Sequence, residues 1–258
     1  MTHPANRTAA PDDVAAMVAV LDAVEQRPEA ATLRERSYAL LRLSPGDAVV
    51  DVGAGTGRAV AELAVRGITA IGVDPSEPIV AIGRARYPDV DLRIGVAERL
   101  PVADAMAAGY RADKVFHEVA DPAAALREAA RVLRPGGRIV LLGQDWDAIV
   151  IDADDGPLTR RIVHARADQV RQPRIARAYR TLLLDAGFHD VSLEVHTGIF
   201  TGPTMLPMLS GYAHAAHATG AITQDQADAW LAEQRARAAA DRLLLALPIF
   251  VAAATARP

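Results

Sequence analysis

Val49-Val50-Asp51-Val52-Gly53-Ala54-Gly55-Thr56-Gly57-Arg58 is the stretch whose reading decides the fold. A β-branched strand runs into three glycines and then into an amphipathic helical pattern, Arg58 to Ala64. Glycine is needed where the backbone takes positive φ or passes close to a ligand, and the start of a helix presents free N–H groups and a positive dipole end. Together these features predict a nucleotide-cradling turn at the carboxyl end of the first strand of an α/β sheet. A dinucleotide fingerprint would need its third glycine at position 58, where Arg58 stands, so NAD and FAD are disfavoured. The Gly-Lys-Ser/Thr ending of a triphosphate loop is also missing. Asp51 adds a carboxylate that would repel a pyrophosphate and attract an ammonium group.

Working outward, Thr69-Ala70-Ile71-Gly72-Val73-Asp74 reads as a second short strand ending in an acid. Asp74 lies 19 residues after Gly55, about where a ribose-binding acid falls after one helix and one strand. The same acid, followed by Pro75, is also well placed to cap a helix, and the two roles are compatible. Asp121 to Leu142 forms one physical unit. Asp121 caps a helix, Pro122 opens it, apolar residues recur at three and four, and Pro135-Gly136-Gly137 turns into a buried strand.

The pattern Val-Asp-Val-Gly-Ala-Gly-Thr-Gly resembles the first motif of the class I S-adenosylmethionine-dependent methyltransferases. Leu92-Arg93-Ile94-Gly95-Val96-Ala97-Glu98-Arg99-Leu100-Pro101 is similar to that family's adenine-binding segment, and the 121–142 unit to the run into its fifth strand. The resemblance covers roughly positions 30 to 145 and implies S-adenosylmethionine as cofactor. By that resemblance Asp51, Gly53, Ala54, Gly55 and Gly57 face the amino-acid half, Asp74 and Pro75 the ribose, and Val96, Ala97 and Glu98 the adenine. Arg111, on the expected fourth strand, is taken as a further cofactor contact. Val96 departs from the family, which often places an aspartate there to accept from the adenine amino group. One hydrogen bond of that kind is worth ~1 kcal/mol net.

Residues for the acceptor are sought after the fourth strand and in a lid. His117 and Glu118 are the catalytic candidates, because relatives often carry a histidine before an Asp-Pro pair. That histidine aligns with Glu118, which puts His117 one place out of register. Trp146, Tyr212, His214 and His217 are candidate acceptor contacts. His214 and His217 are three apart but lack an evident carboxylate partner, so no metal is expected. The arginines from Arg160 to Arg180 read most simply as a solvated helical face, the alternative being contacts to an anionic acceptor such as a carboxylate or phosphate.

Composition sets the limits. With 258 residues, 51% of them hydrophobic, the chain is long enough to bury a core without staples. A net charge of −4 leaves no polycationic footprint for nucleic acid, and no run of about 18 apolar residues suggests a membrane span. There are no cysteines, which excludes disulfides and thiolate chemistry, and Lys114 is the only lysine. Met1 to Pro11 is polar and reads as disordered and not as a signal peptide, so a cytoplasmic location is the default.

The expected fold is α/β, a doubly wound, Rossmann-like, seven-stranded, mostly parallel sheet with an antiparallel terminal hairpin, helices near 12–26 and 28–42, and a helical lid. Residues 1–42 form the N-terminal segment, 43–197 with 243–258 the core, and 198–242 the lid. The fourth strand, within Ala103 to Lys114, carries only scattered apolar residues and is expected to be short or remodelled. The expected function is methyl transfer by in-line displacement to a small-molecule acceptor, a specialised metabolite. The alternatives are a repurposed fold doing another reaction, such as a cyclisation, and a non-catalytic binding protein. Nothing in the chain fixes an oligomeric state, a homodimer being one option.

Overall fold

A computed structural model describes residues 18–257, apart from 20, 21 and 24. The expected disordered tail, Met1 to Pro11, and much of the first expected helix lie outside the described residues. Alternation with a period of two builds the centre of the fold. β1 (Ala48–Val52), β2 (Thr69–Asp74), β3 (Asp91–Ile94), β4 (Ala107–Asp113) and β5 (Leu133–Gln144) run parallel in the order β3-β2-β1-β4-β5. Val49, Val140 and Leu142 point to one face, where α1 (Pro28–Leu41), α2 (Arg58–Val65) and α3 (Glu77–Arg86) cover them. Val50, Ile139 and Leu141 point to the other, under α4 (Pro122–Val132) and α6 (Ile175–Asp185). α5 (Gly156–Ala167) packs elsewhere.

The expected antiparallel hairpin is present. β8 (Leu245–Thr255) pairs with β5 on one side and with β7 (His189–Phe200) on the other. The sheet has eight strands and not seven, because a two-residue strand, β6 (Val150–Ile151), pairs with Leu245 and Ala246 where β5 has ended.

β4 is not eroded: it spans seven residues and is buried almost throughout. Its small side chains are a packing requirement. A Cβ on Gly109 would come within 3.2 Å of both Leu41 and Leu43, so α1 and its exit lie against the strand and supply the missing apolar bulk.

The helices of the expected lid, α7 (Leu206–Ala218) and α8 (Gln224–Ala239), pack with α5. Leu209, Trp230 and Leu231 join Ile162 and Val163 of α5 and Leu245 of β8 in one buried cluster. The second lobe therefore includes α5, which the sequence placed with the core. No helix among the described residues is long and apolar enough to cross a membrane.

Candidate cofactor and acceptor site

The site is built at the carboxyl ends of β1, β2 and β4. Gly53 and Gly55 take φ of +67° and +55°, the left-handed region that disfavours other side chains. At Gly53 the constraint is also steric, since a Cβ would stand 2.1 Å from Val115, whereas above Gly55 nothing lies within 4 Å. The turn is held from below: Gly53 and Ala54 both donate to the carbonyl of Val73, at 2.7 and 3.1 Å. α2 then begins with Gly57 as its cap residue.

Asp74 ties the turn to β2. Its Oδ2 accepts from the Gly55 N–H at 3.0 Å and its Oδ1 from the Ser76 N–H at 2.9 Å. Burial pushes its carboxyl above the usual range, and these two N–H groups pull the other way. Ser76, not Asp74, is the cap residue of α3, so the carboxylate organises the loop ahead of that helix.

Asp51 sits opposite Arg111 in the β1–β4 register, and the pairing follows from that placement. Arg111 Nη1 donates to Asp51 at 2.8 Å, Nη2 to Asp113 at 2.7 Å, and Nε to Ser37 of α1 at 2.8 Å. Burial raises Asp51 despite this partner. Burial acts in the same sense on Asp113, but Lys114 and Arg111 bring it below its usual value. Arg111 is thus a clamp between two carboxylates and α1, with all three of its nitrogens engaged.

Over the glycine turn lies a cavity of about 270 Å³, walled by Asp51, Gly55, Asp74, Ile79 and Arg111 and closed by Asp22 and Glu25 from the N-terminal segment. A second cavity of about 520 Å³ lies between α1 and the β7–β8 hairpin. The two share Glu25, Asp113 and Lys114 as a common wall. Arg34 fixes Glu25 in that wall, donating to it at 2.8 Å and bridging to Glu62 at 3.1 Å.

The expected adenine segment is laid out less uniformly. Pro75, Gly95, Val96 and Leu100 line a third hollow of about 490 Å³ in which Val96 is 43% exposed, while Ala97 is buried. Glu98 is occupied elsewhere, accepting from the backbone N–H groups of Ala120 at 3.1 Å and Asp121 at 3.3 Å ahead of α4.

His117 and Glu118 line neither the first nor the second cavity. The His117 ring lies 5.4 Å from that of Trp146, and its carbonyl accepts from Gln172 at 3.0 Å. Burial, with Arg166 and Lys114 nearby, lowers the imidazole to about 4, so it is neutral at physiological pH. Glu118 is 62% exposed and 3.6 Å from His117 Nε2. Tyr212 belongs to the second lobe's core and the half-buried Trp146 packs against it, and Trp146 Nε1 and Tyr212 Oη have no hydrogen-bond partner among the described residues. His214 and His217 are exposed on the outer side of α7. Sequence reasoning missed Glu25, Asp113 and Lys114. The one available signal was that the chain's single lysine directly follows an acid at the end of β4.

A family model described as a methyltransferase domain matches residues 50–141. An uncharacterized 37.1 kDa protein of a Streptomyces fradiae transposon is 35% identical over 201 residues, covering 75% of this chain and 57% of that one. A demethylmenaquinone methyltransferase of Mycolicibacterium vanbaalenii is 42% identical over 108 residues, covering 42% of this chain and 46% of that one. The chain thus spans about half the length of these relatives. A putative methyltransferase from Bacillus halodurans shares the fold, with a TM-score of 0.63 at 17% identity, covering 87% of this chain and 99% of that one. With its strand order, its glycine turn and the acid closing β2, the stretch 50–141 is a methyltransferase domain of the class I, S-adenosylmethionine-dependent type.

Proposed function

We propose that the protein transfers a methyl group from S-adenosylmethionine to a small-molecule acceptor. One observation carries this reading: the cavity over the Gly53–Gly57 turn is bounded on one side by a carboxylate, Asp74, already fixed by two backbone N–H groups. The residues fit the cofactor. Open space above Gly55 admits a ligand against the backbone. Each Asp74 oxygen accepts one hydrogen bond and has capacity for another, which suits a ribose diol. Asp51, Glu25 and Asp113 offer carboxylates for an ammonium group, with Arg111 offsetting part of their charge. Bound there, the cofactor supplies an electrophilic methyl group open to in-line displacement.

The chain's own part is positioning and exclusion. α1 and residues of the segment before it flank the cavity, and the Arg34–Glu25 pair ties the two together. The acceptor is read as a small molecule because the shared wall borders a second cavity of small-ligand size. The demethylmenaquinone methyltransferases that share the core also act, by their name, on a small molecule. The test is to incubate the protein with methyl-labelled S-adenosylmethionine and candidate acceptors, demethylmenaquinone first, and to measure S-adenosylhomocysteine. Acceptor-dependent release is expected. Tight cofactor binding without release across a broad panel would favour a repurposed or non-catalytic scaffold.

A further inference from the structure

The second cavity points to a class of acceptor. At about 520 Å³ it lies within the ~300–1,000 Å³ range of small-ligand pockets. Its body is apolar, formed by Leu33, Phe200, Leu247 and Ile249, and Arg27 closes one end by stacking 4.6 Å from the Phe200 ring. Glu29 stands 3.4 Å from Arg27 Nε and neutralises that end. The charged groups lining the cavity are three carboxylates, Glu25, Glu29 and Asp113, against two cations, Arg27 and Lys114, a formal balance of −1.

The wall shared with the cofactor cavity is amphoteric. Lys114 Nζ donates to Glu25 at 2.7 Å, which uses one of the three N–H donors of an ammonium. Its separation from Asp113 Oδ1 is 3.4 Å, an ion pair without a hydrogen bond, and Asp113 Oδ1 has no hydrogen-bond partner among the described residues. Asp113 itself cannot swing away, because Arg111 holds its other oxygen at 2.7 Å. The wall therefore offers an unused donor on a flexible side chain and, behind it, an unused acceptor on a fixed one that is shielded until the Lys114 side chain moves aside. A carboxylate head can only accept and would add charge to a negative wall. An ether can only accept. A hydroxyl does both, with one O–H and two lone pairs.

Resting on the proposed methyl transfer, we infer that the acceptor is a neutral, largely apolar alcohol or phenol, whose body fills the α1–hairpin cavity and whose hydroxyl sits between Lys114 Nζ and Asp113 Oδ1. Lys114 and Asp113 are the residues that set this specificity.

The experiment is calorimetric titration of the full chain, with and without saturating S-adenosylhomocysteine, using 2-naphthol, 2-methoxynaphthalene and 2-naphthoate. These share one ring system and differ in the head. 2-Naphthol should bind at least tenfold more tightly than the other two. Leu247→Phe, which narrows the cavity without touching a charged group, should weaken 2-naphthol at least tenfold and leave S-adenosylhomocysteine affinity within twofold. Lys114→Met should bring 2-naphthol and 2-methoxynaphthalene within about threefold of each other. Equal binding of the three probes by the unaltered chain, failure of 2-naphthol to bind, or indifference to Leu247→Phe would overturn the inference. If S-adenosylhomocysteine binds and 2-naphthol does not, the acceptor class is wrong and the cofactor assignment stands. If 2-naphthol behaves as expected without any cofactor affinity, the methyl-transfer reading is wrong and the cavity's ligand class stands.

Discussion

The half of the molecule built from residues 48–144 and the lobe formed by α5, α7 and α8 differ in the buried charge they carry. In the first, Asp74 is held by two backbone N–H groups, Asp51 by Arg111 across the strand pair, and Arg111 by three side chains. In the second, three helices close over an apolar cluster whose buried polar side chains, Thr159 and Gln234, are uncharged. Polar groups fixed on strand ends and turns are preorganised to receive a ligand. The lobe's cluster, by contrast, packs a wall. On the proposed function, the sheet half carries the binding chemistry and the lobe the enclosure.

Two truncations of similar cost should separate these roles. Arg111→Met leaves two buried carboxylates without their shared partner and should destabilise the fold by about 3–5 kcal/mol while abolishing cofactor binding. Trp230→Ala empties the centre of the lobe and should also cost about 3–5 kcal/mol, yet leave S-adenosylhomocysteine affinity within twofold in the folded fraction. Denaturant melts with parallel titrations measure both. Loss of cofactor affinity in Trp230→Ala would break the division.

His117 lies at the seam, between the end of β4 and Trp146. Its imidazole is lowered from 6.5 to about 4 in the folded chain, so the unfolded chain takes up the proton first. The stability this group contributes is present above pH 6.5 and is lost as the pH falls towards 4, on the order of 3 kcal/mol. Replacing it by Gln should flatten the stability profile between those limits. An unchanged slope would mean that other groups control it.

Asp74→Ala should weaken S-adenosylhomocysteine at least tenfold, since it removes both the oxygens proposed to face the ribose and the anchor of the Gly55 N–H. Unchanged affinity would remove the ribose assignment. The smallest expected effect is that of Val96→Asp, which offers a half-exposed carboxylate to an adenine amino group and should tighten binding by about 1 kcal/mol. Weaker binding would mean that the hollow is shaped around an apolar wall.

How far the sequence could be read follows the same division. The glycine turn, Asp74 and the 121–142 unit were legible because their roles are set by backbone geometry at short range, and they stand where expected. Arg111 was expected at the site, but its role as a clamp was not legible. Its contact with Asp51 depends on strand register across 60 residues, which a motif does not carry. Asp113 and Lys114 were hidden for a related reason, since their meaning comes from two cavities meeting at the end of β4. His214 and His217 share a helical face as their spacing implied, but it is the outer one. Leu209, Tyr212, Ala213 and Ala216 form the buried stripe, and a step of one residue turns about 100° around a helix. The fourth strand looked weak because its small residues make room for α1, a tertiary demand that intrinsic propensity does not register.

The most direct test of the central claim is a calorimetric titration of the full chain with S-adenosylmethionine and S-adenosylhomocysteine, after mass spectrometry has checked for copurified cofactor. Binding of one molecule per chain in the micromolar range, abolished in Arg111→Met and kept in Trp230→Ala, is the expected result. No binding of either compound by a chain that carries no copurified cofactor would contradict the claim that the cavity over the glycine turn is a working cofactor site.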